Sequence, residues 1–107
     1  MTHTVWFSFD LGVTGDYEGM YTWLARQKAE ECGDSMAVFK YEHTGDLIAA
    51  IKRDIRDNVG IDTKKCRVYV IRLVEGKMKG SFIFGQRRRA PWAGYAETGD
   101  QADDTSD

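Results

Sequence analysis

Apolar and polar residues alternate over 4–11, TVWFSFDL: Val5, Phe7, Phe9 and Leu11 point one way, Trp6, Ser8 and Asp10 the other. A period of two with aromatic and β-branched residues predicts a strand, and aromatics on both faces place it centrally in a sheet. Gly12 and Gly15 break the pattern, and Asp16 stands as N-cap of a helix. Tyr17, Met20, Tyr21, Leu24 and Lys28 recur at helical spacing. Propensity alone extends that helix through 25–31, ARQKAEE, before Gly33-Asp34 closes it. Residues 36–41, MAVFKY, predict a second strand. Leu47, Ile48, Ile51, Ile55 and Val59 then form the apolar stripe of a second helix, capped by Thr44 or Asp46 and ended by Gly60 as its C′ residue. Residues 66–74, CRVYVIRLV, give the strongest strand of the chain. Glu75-Gly76-Lys77 offers a turn, and 79–85, KGSFIFG, a returning hairpin strand.

The order is strand, helix, strand, helix, strand, strand. Such alternation places helices against a small sheet. A βαββαβ arrangement needs one more short strand before Met36, which the pattern alone does not show.

Charge changes the picture at the C-terminal end. Residues 97–107, ETGDQADDTSD, hold five acids and no base, so over 1–96 the 15 bases stand against 12 acids, a net +3. Within 64–89 nine bases face a single acid, Glu75. The chain therefore reads as one basic-backed domain over 1–96 with an acidic, disordered tail at 97–107. The start has no basic leader, and no apolar run approaches the roughly 18 residues of a membrane span, so a cytoplasmic protein with no membrane partner is expected. Cys32 and Cys66 have no C-x-x-C spacing and stand far from His3 and His43. A buried or half-buried reduced thiol and surface histidines are expected, rather than a zinc site.

The basic segment ends in GQRRRAPWAGY, residues 85–95. Arg87, Arg88 and Arg89, with Lys77 and Lys79, can neutralise phosphates, while Trp92 and Tyr95 can stack bases. The same residues also suit an edge strand guarded by charge, with Trp92 and Tyr95 buried at a dimer seam. Gly12, Gly15 and Gly19 match neither a dinucleotide fingerprint nor a phosphate loop. Ser8 lacks an identifiable base beside it. The tail suggests a nucleic-acid mimic that folds back on the arginines.

The run F-S-F-D-L (Phe7 to Leu11) followed by G-D-Y-E-G-M (Gly15 to Met20) resembles the small CRISPR-adaptation nuclease-like superfamily. It is most similar to the little bacterial proteins of the SinR family, with a looser likeness to the virulence-associated D toxins. Asp16-Tyr17, Asp34-Ser35 and Trp92-Ala93-Gly94-Tyr95 keep the spacing of that pattern. The likeness covers residues 4–95 in layout. It implies an α+β ferredoxin-like βαββαβ sandwich: a small antiparallel sheet, two helices on one face and an extra C-terminal strand. It also implies a short edge strand near 29–33, against the helical propensity there, and a homodimer in which segment 79–95 completes the partner's sheet.

Asp10 matches the family's strand-one aspartate, which implies a Mg²⁺ or Mn²⁺ shared between two subunits and metal-dependent cleavage of RNA or DNA. The alternative is that Asp10 merely caps a strand end or turn. Helix one carries Glu18, Met20 and Tyr21 where the nuclease subgroup has bases. Two functions are therefore expected. One is a homodimeric nucleic-acid-associated protein, in the nuclease case an endonuclease of a defence or toxin–antitoxin system. The other is a non-catalytic dimeric module, adaptor or antitoxin-like, that binds a protein partner.

Overall fold

The computed structural model describes residues 1–96. In chain order these form β1 (Thr2–Asp10), α1 (Tyr17–Arg26), β2 (Glu30–Glu31), β3 (Met36–Glu42), α2 (Leu47–Asn58), β4 (Arg67–Val74) and β5 (Lys77–Phe84). One sheet runs in the order β2-β3-β1-β4-β5, with every neighbouring pair antiparallel. The first six elements give βαββαβ, and β5 folds back on the outer side of β4. The chain is thus an α+β, ferredoxin-like sandwich with an additional strand.

β1 sits centrally, with Val5, Phe7 and Phe9 buried on one face and Trp6 half-buried among polar residues on the other. Val5, Phe7 and Phe9 share one face with Ala37, Phe39 and Tyr41 of β3 and with Val68 and Val70 of β4. Met20, Trp23 and Leu24 of α1 and Leu47, Ile51 and Ile55 of α2 close over them as one core. Trp23 is its largest fully buried side chain and packs edge-on against Phe39 at 5.5 Å between ring centroids. The helical spacing of the sequence placed Tyr17, Met20, Tyr21 and Leu24 on the sheet side and left Trp23 out. Tyr21 instead lies 53% exposed, because the stripe that meets the sheet runs through Met20, Trp23 and Leu24.

Three local expectations are corrected. Helix one stops at Arg26: Lys28 takes φ 56°, and Glu30 and Glu31 pair with Val38 and Ala37 of β3. Hydrogen bonding along the β3 edge outweighs the helical propensity of ARQKAEE. Gly60 is not a left-handed helix stop, because Val59 already leaves α2 in extended conformation, φ −128°. The Gly60 N–H instead donates to Oδ2 of Asp16 at 2.8 Å, while Oδ1 of the same carboxylate accepts from Gly19 N at 2.9 Å. These two bonds, Gly60 first, hold the Asp16 carboxyl below the usual carboxylate range. They also join the start of α1 to the end of α2.

The histidines form the third correction. His43 is buried, stacks on Tyr41, and presents Nε2 2.8 Å from Nδ1 of His3. His3 pairs with Tyr41 and His43 directly follows β3, so both rings fall on the helix-covered face, which is why His43 is not a surface residue. Cys66 is buried and Cys32 exposed, both as free thiols. No helix among the described residues is long and apolar enough to cross a membrane. The tail expected at 97–107 lies outside the described residues.

Candidate nucleic-acid interface and carboxylate site

The face of the sheet opposite the helices is open. Alternation brings Trp6 of β1 between Val38 of β3 and Ile71 of β4, giving a row of half-buried apolar side chains across three strands. Leu73 and Met78 extend it, 50% and 56% exposed. None of the described residues covers this band.

Polar chemistry gathers at one end of that face. Ser8 pairs with Tyr69, Asp10 with Arg67, and Tyr69 with Phe82, so these side chains share one surface. Together with Arg87 they line a cavity of about 330 Å³. Arg87 reaches it because the chain turns at Gly85, φ +75°, where a Cβ would stand 2.6 Å from the Cys66 carbonyl oxygen. Only glycine fits there. The Arg87 guanidinium then lies over the Phe82 ring at 5.6 Å, and Phe82 meets Tyr69 edge-on at 4.8 Å. A Cβ on Gly80 would fall 2.1 Å from the Tyr69 hydroxyl, so the absent side chain makes room for that phenol.

Asp10 ends β1 with its carboxylate half exposed. Its Oδ2 faces Arg67 Nη2 at 3.4 Å, and its Oδ1 accepts from Gly12 N at 3.2 Å. The carboxylate therefore stabilises a turn and offsets one guanidinium. The Nε of Arg67 is buried without a partner. Among the described residues no three carboxylates, histidines or cysteines converge on one point. One protomer thus offers a single carboxylate to a hard divalent cation, which prefers six or more oxygen ligands. Both oxygens of that carboxylate are already engaged, by Arg67 and by the Gly12 N–H.

Basic side chains continue from this end onto the rim. Lys64, Gln86 and Arg88 line a polar cavity with Thr63 and Gly85. Arg88 Nη2 donates to the Lys65 carbonyl at 3.3 Å, tying the loop before β4 to the segment after β5. Lys64, Lys65, Arg67, Arg87 and Arg88 therefore crowd one end of the strands.

The residues proposed from sequence are divided by this geometry. Asp10, Arg87 and Arg88 come together. Arg89 follows on an exposed turn, with Nη2 3.5 Å from the Ala93 carbonyl. Lys77 and Lys79 pair with Val74 and Arg72 near the hairpin turn, at the opposite end of β5 from Arg87. Trp92 and Tyr95 are 74% and 75% exposed on a turn closed by Ala93 N to Ala90 O and Tyr95 N to Trp92 O. Within one protomer they touch neither the cavity nor the core. Lys64, Lys65 and Arg67 were visible in the sequence only as part of a basic run.

The fold and this strand end define a small α+β sandwich with one helix-free face and a basic, carboxylate-bearing rim. No protein-family profile, curated protein or solved structure matches the chain.

Proposed function

We propose that the protein is a two-fold homodimer that stacks its open sheet faces and binds nucleic acid along the basic strand end. The carrying observation is the uncovered apolar row Val38–Trp6–Ile71, ended on one side by Asp10 amid Arg67, Arg87, Arg88, Lys64 and Lys65. An exposed apolar band of this kind marks an interaction surface. A two-fold axis parallel to the strands, lying between two stacked faces, brings both Asp10 residues to the same end of the pair. Two carboxylates could then share Mg²⁺ or Mn²⁺, activating water against a phosphodiester. The basic rim would hold the phosphates, and Tyr69 and Phe82 offer ring surfaces beside them.

Sedimentation of the wild type and of Trp6→Glu tests the pairing. A concentration-dependent dimer that Trp6→Glu converts to monomer supports it, and a monomeric wild type at high micromolar concentration overturns it. Incubating RNA and DNA with Mn²⁺ tests the chemistry, with cleavage lost in Asp10→Ala. One observation favours a non-catalytic form of the same dimer: Arg67 and Gly12 already engage both carboxylate oxygens. Salt-dependent binding without cleavage, unchanged in Asp10→Ala, establishes that form. The defence and toxin–antitoxin settings implied by the resemblance belong to this proposal too, as does the alternative of a protein partner.

A further inference from the structure

The cavity at the strand end, about 330 Å³, joins three chemistries on one face of the sheet: the Asp10 carboxylate, the Tyr69 and Phe82 rings, and the Arg67 and Arg87 guanidinium groups. Its volume lies at the lower end of ligand cavities, which run from roughly 300 to 1,000 Å³, and suits a single nucleotide. A duplex hides the faces and pairing edges of its bases. A recess of rings and hydrogen-bonding groups therefore selects an unpaired base.

Asp10 selects among the bases. Its Oδ1 accepts from Gly12 N at 3.2 Å, and its Oδ2 faces a single Arg67 nitrogen at 3.4 Å. A carboxylate has about four lone-pair sites, so each oxygen keeps one open, and the side chain is 55% exposed. The Arg67 contact is long and made through one nitrogen, unlike the two-pronged fork by which a guanidinium holds a carboxylate most tightly. Guanine carries that fork. Its N1–H and N2–H₂ project side by side from the pairing edge and match the two oxygens of one carboxylate. Adenine and cytosine set an acceptor beside their amine, and thymine and uracil flank a single N–H with acceptors. None of these presents two adjacent donors.

We infer that this cavity holds one unpaired guanine of a single nucleic-acid strand, bound by Asp10 through N1–H and N2–H₂ and stacked on Tyr69. The inference rests on the nucleic-acid reading of the basic strand end, and it requires neither the dimer nor a metal. The spacing on the sheet fits a purine. Tyr69 pairs with Ser8, two residues before Asp10, so ring and carboxylate stand roughly 7 Å apart along the strands. That is comparable to the reach from the middle of a purine to a carboxylate bonded at its edge. The Ser8 hydroxyl lines the same cavity and is a donor for O6, next to N1. Guanine replaces Arg67 as the partner of Asp10, which frees the guanidinium for the strand. Arg67 already keeps a buried Nε without a partner, and Arg87 lies over Phe82 at 5.6 Å. These two groups face the phosphate of the bound nucleotide, and Arg88 and Lys64, beside Gly85, face the next one.

Fluorescence anisotropy of the full chain, in EDTA, with short thymidine strands bearing one central guanine, hypoxanthine or adenine tests this. The wild type should bind the guanine strand at least about fivefold more tightly than the other two. Hypoxanthine differs from guanine only in lacking the N2 amine, so that comparison isolates the second donor. Asp10→Asn should bring the three affinities together, and Tyr69→Ala should weaken the guanine strand several-fold. Pairing the guanine within a hairpin should erase its advantage. Salt-dependent binding by the wild type with equal affinity for guanine and hypoxanthine overturns the inference, without recourse to any variant, and leaves the nucleic-acid reading standing. A guanine preference that survives Asp10→Asn does the same. The absence of salt-dependent binding to every strand overturns both. Displacement of the guanine strand by guanosine monophosphate at equal concentration assigns the cavity to a free nucleotide and overturns the strand as its ligand.

Discussion

Asp16 shows how much a single half-buried carboxylate can organise. It caps α1 through Gly19 and reaches across 44 residues to Gly60, so two chain segments depend on its charge. Because its folded pKa lies below the ordinary value, its stabilising contribution is present above the unfolded carboxylate pKa and is lost as pH falls through the folded one. Thermal midpoints measured between about pH 2 and pH 6 should therefore separate wild type from Asp16→Asn at the upper end and converge at the lower. Tyr41 is the opposite case: burial, then the hydrogen bond it donates to Asp54 Oδ2 at 2.9 Å, push its hydroxyl well above the ordinary value. Tyr41→Phe keeps the ring against Trp23 and loses that bond. It should cost about 1 kcal/mol in denaturant unfolding. Phe7→Ala removes a fully buried ring between Trp23 and Phe39 and should cost about 3–5 kcal/mol.

At the scale of elements, periodicity made β1, β3, α2 and β4 legible, because each carries its apolar residues at its own repeat. The β4–β5 hairpin was legible too. Glu75 and Gly76, both at positive φ, form the two-residue connection between Val74 and Lys77. β2 was beyond pattern reading: two glutamates have no strand signature, and their conformation comes from β3. The resemblance, not the residues, supplied that strand. Asp10 was singled out by the resemblance, as the aspartate at the end of strand one, but its partner Arg67 was not, being 57 positions away and brought opposite by register. Gly80 likewise reads as a weak spot in a strand until the Tyr69 phenol is seen above it. Gly80→Val should displace that ring and change the ring-current shifts of Phe82, measurable by aromatic NMR.

For the whole molecule, the asymmetry of the sheet matters more than its net charge. One face carries the helices and the core, and the other an apolar band with cations collected at one end. On the proposed nucleic-acid reading, affinity should weaken with salt, log K falling about 0.9 per phosphate contacted for each tenfold rise in salt. Arg87→Ala or Arg88→Ala should reduce that slope by about one, measured by fluorescence anisotropy. Lys77→Ala and Lys79→Ala, at the other end of β5, should leave it unchanged.

The central place of β1 also has a bearing on synthesis. It is made before both of its neighbours: β3 ends at Glu42 and β4 at Val74. Until those segments emerge, Trp6, Phe7 and Phe9 have no sheet to join. The nascent chain thus carries a sticky, unpaired ribbon until β4 emerges, and chaperone occupancy should peak before β4 is made and fall once it is released.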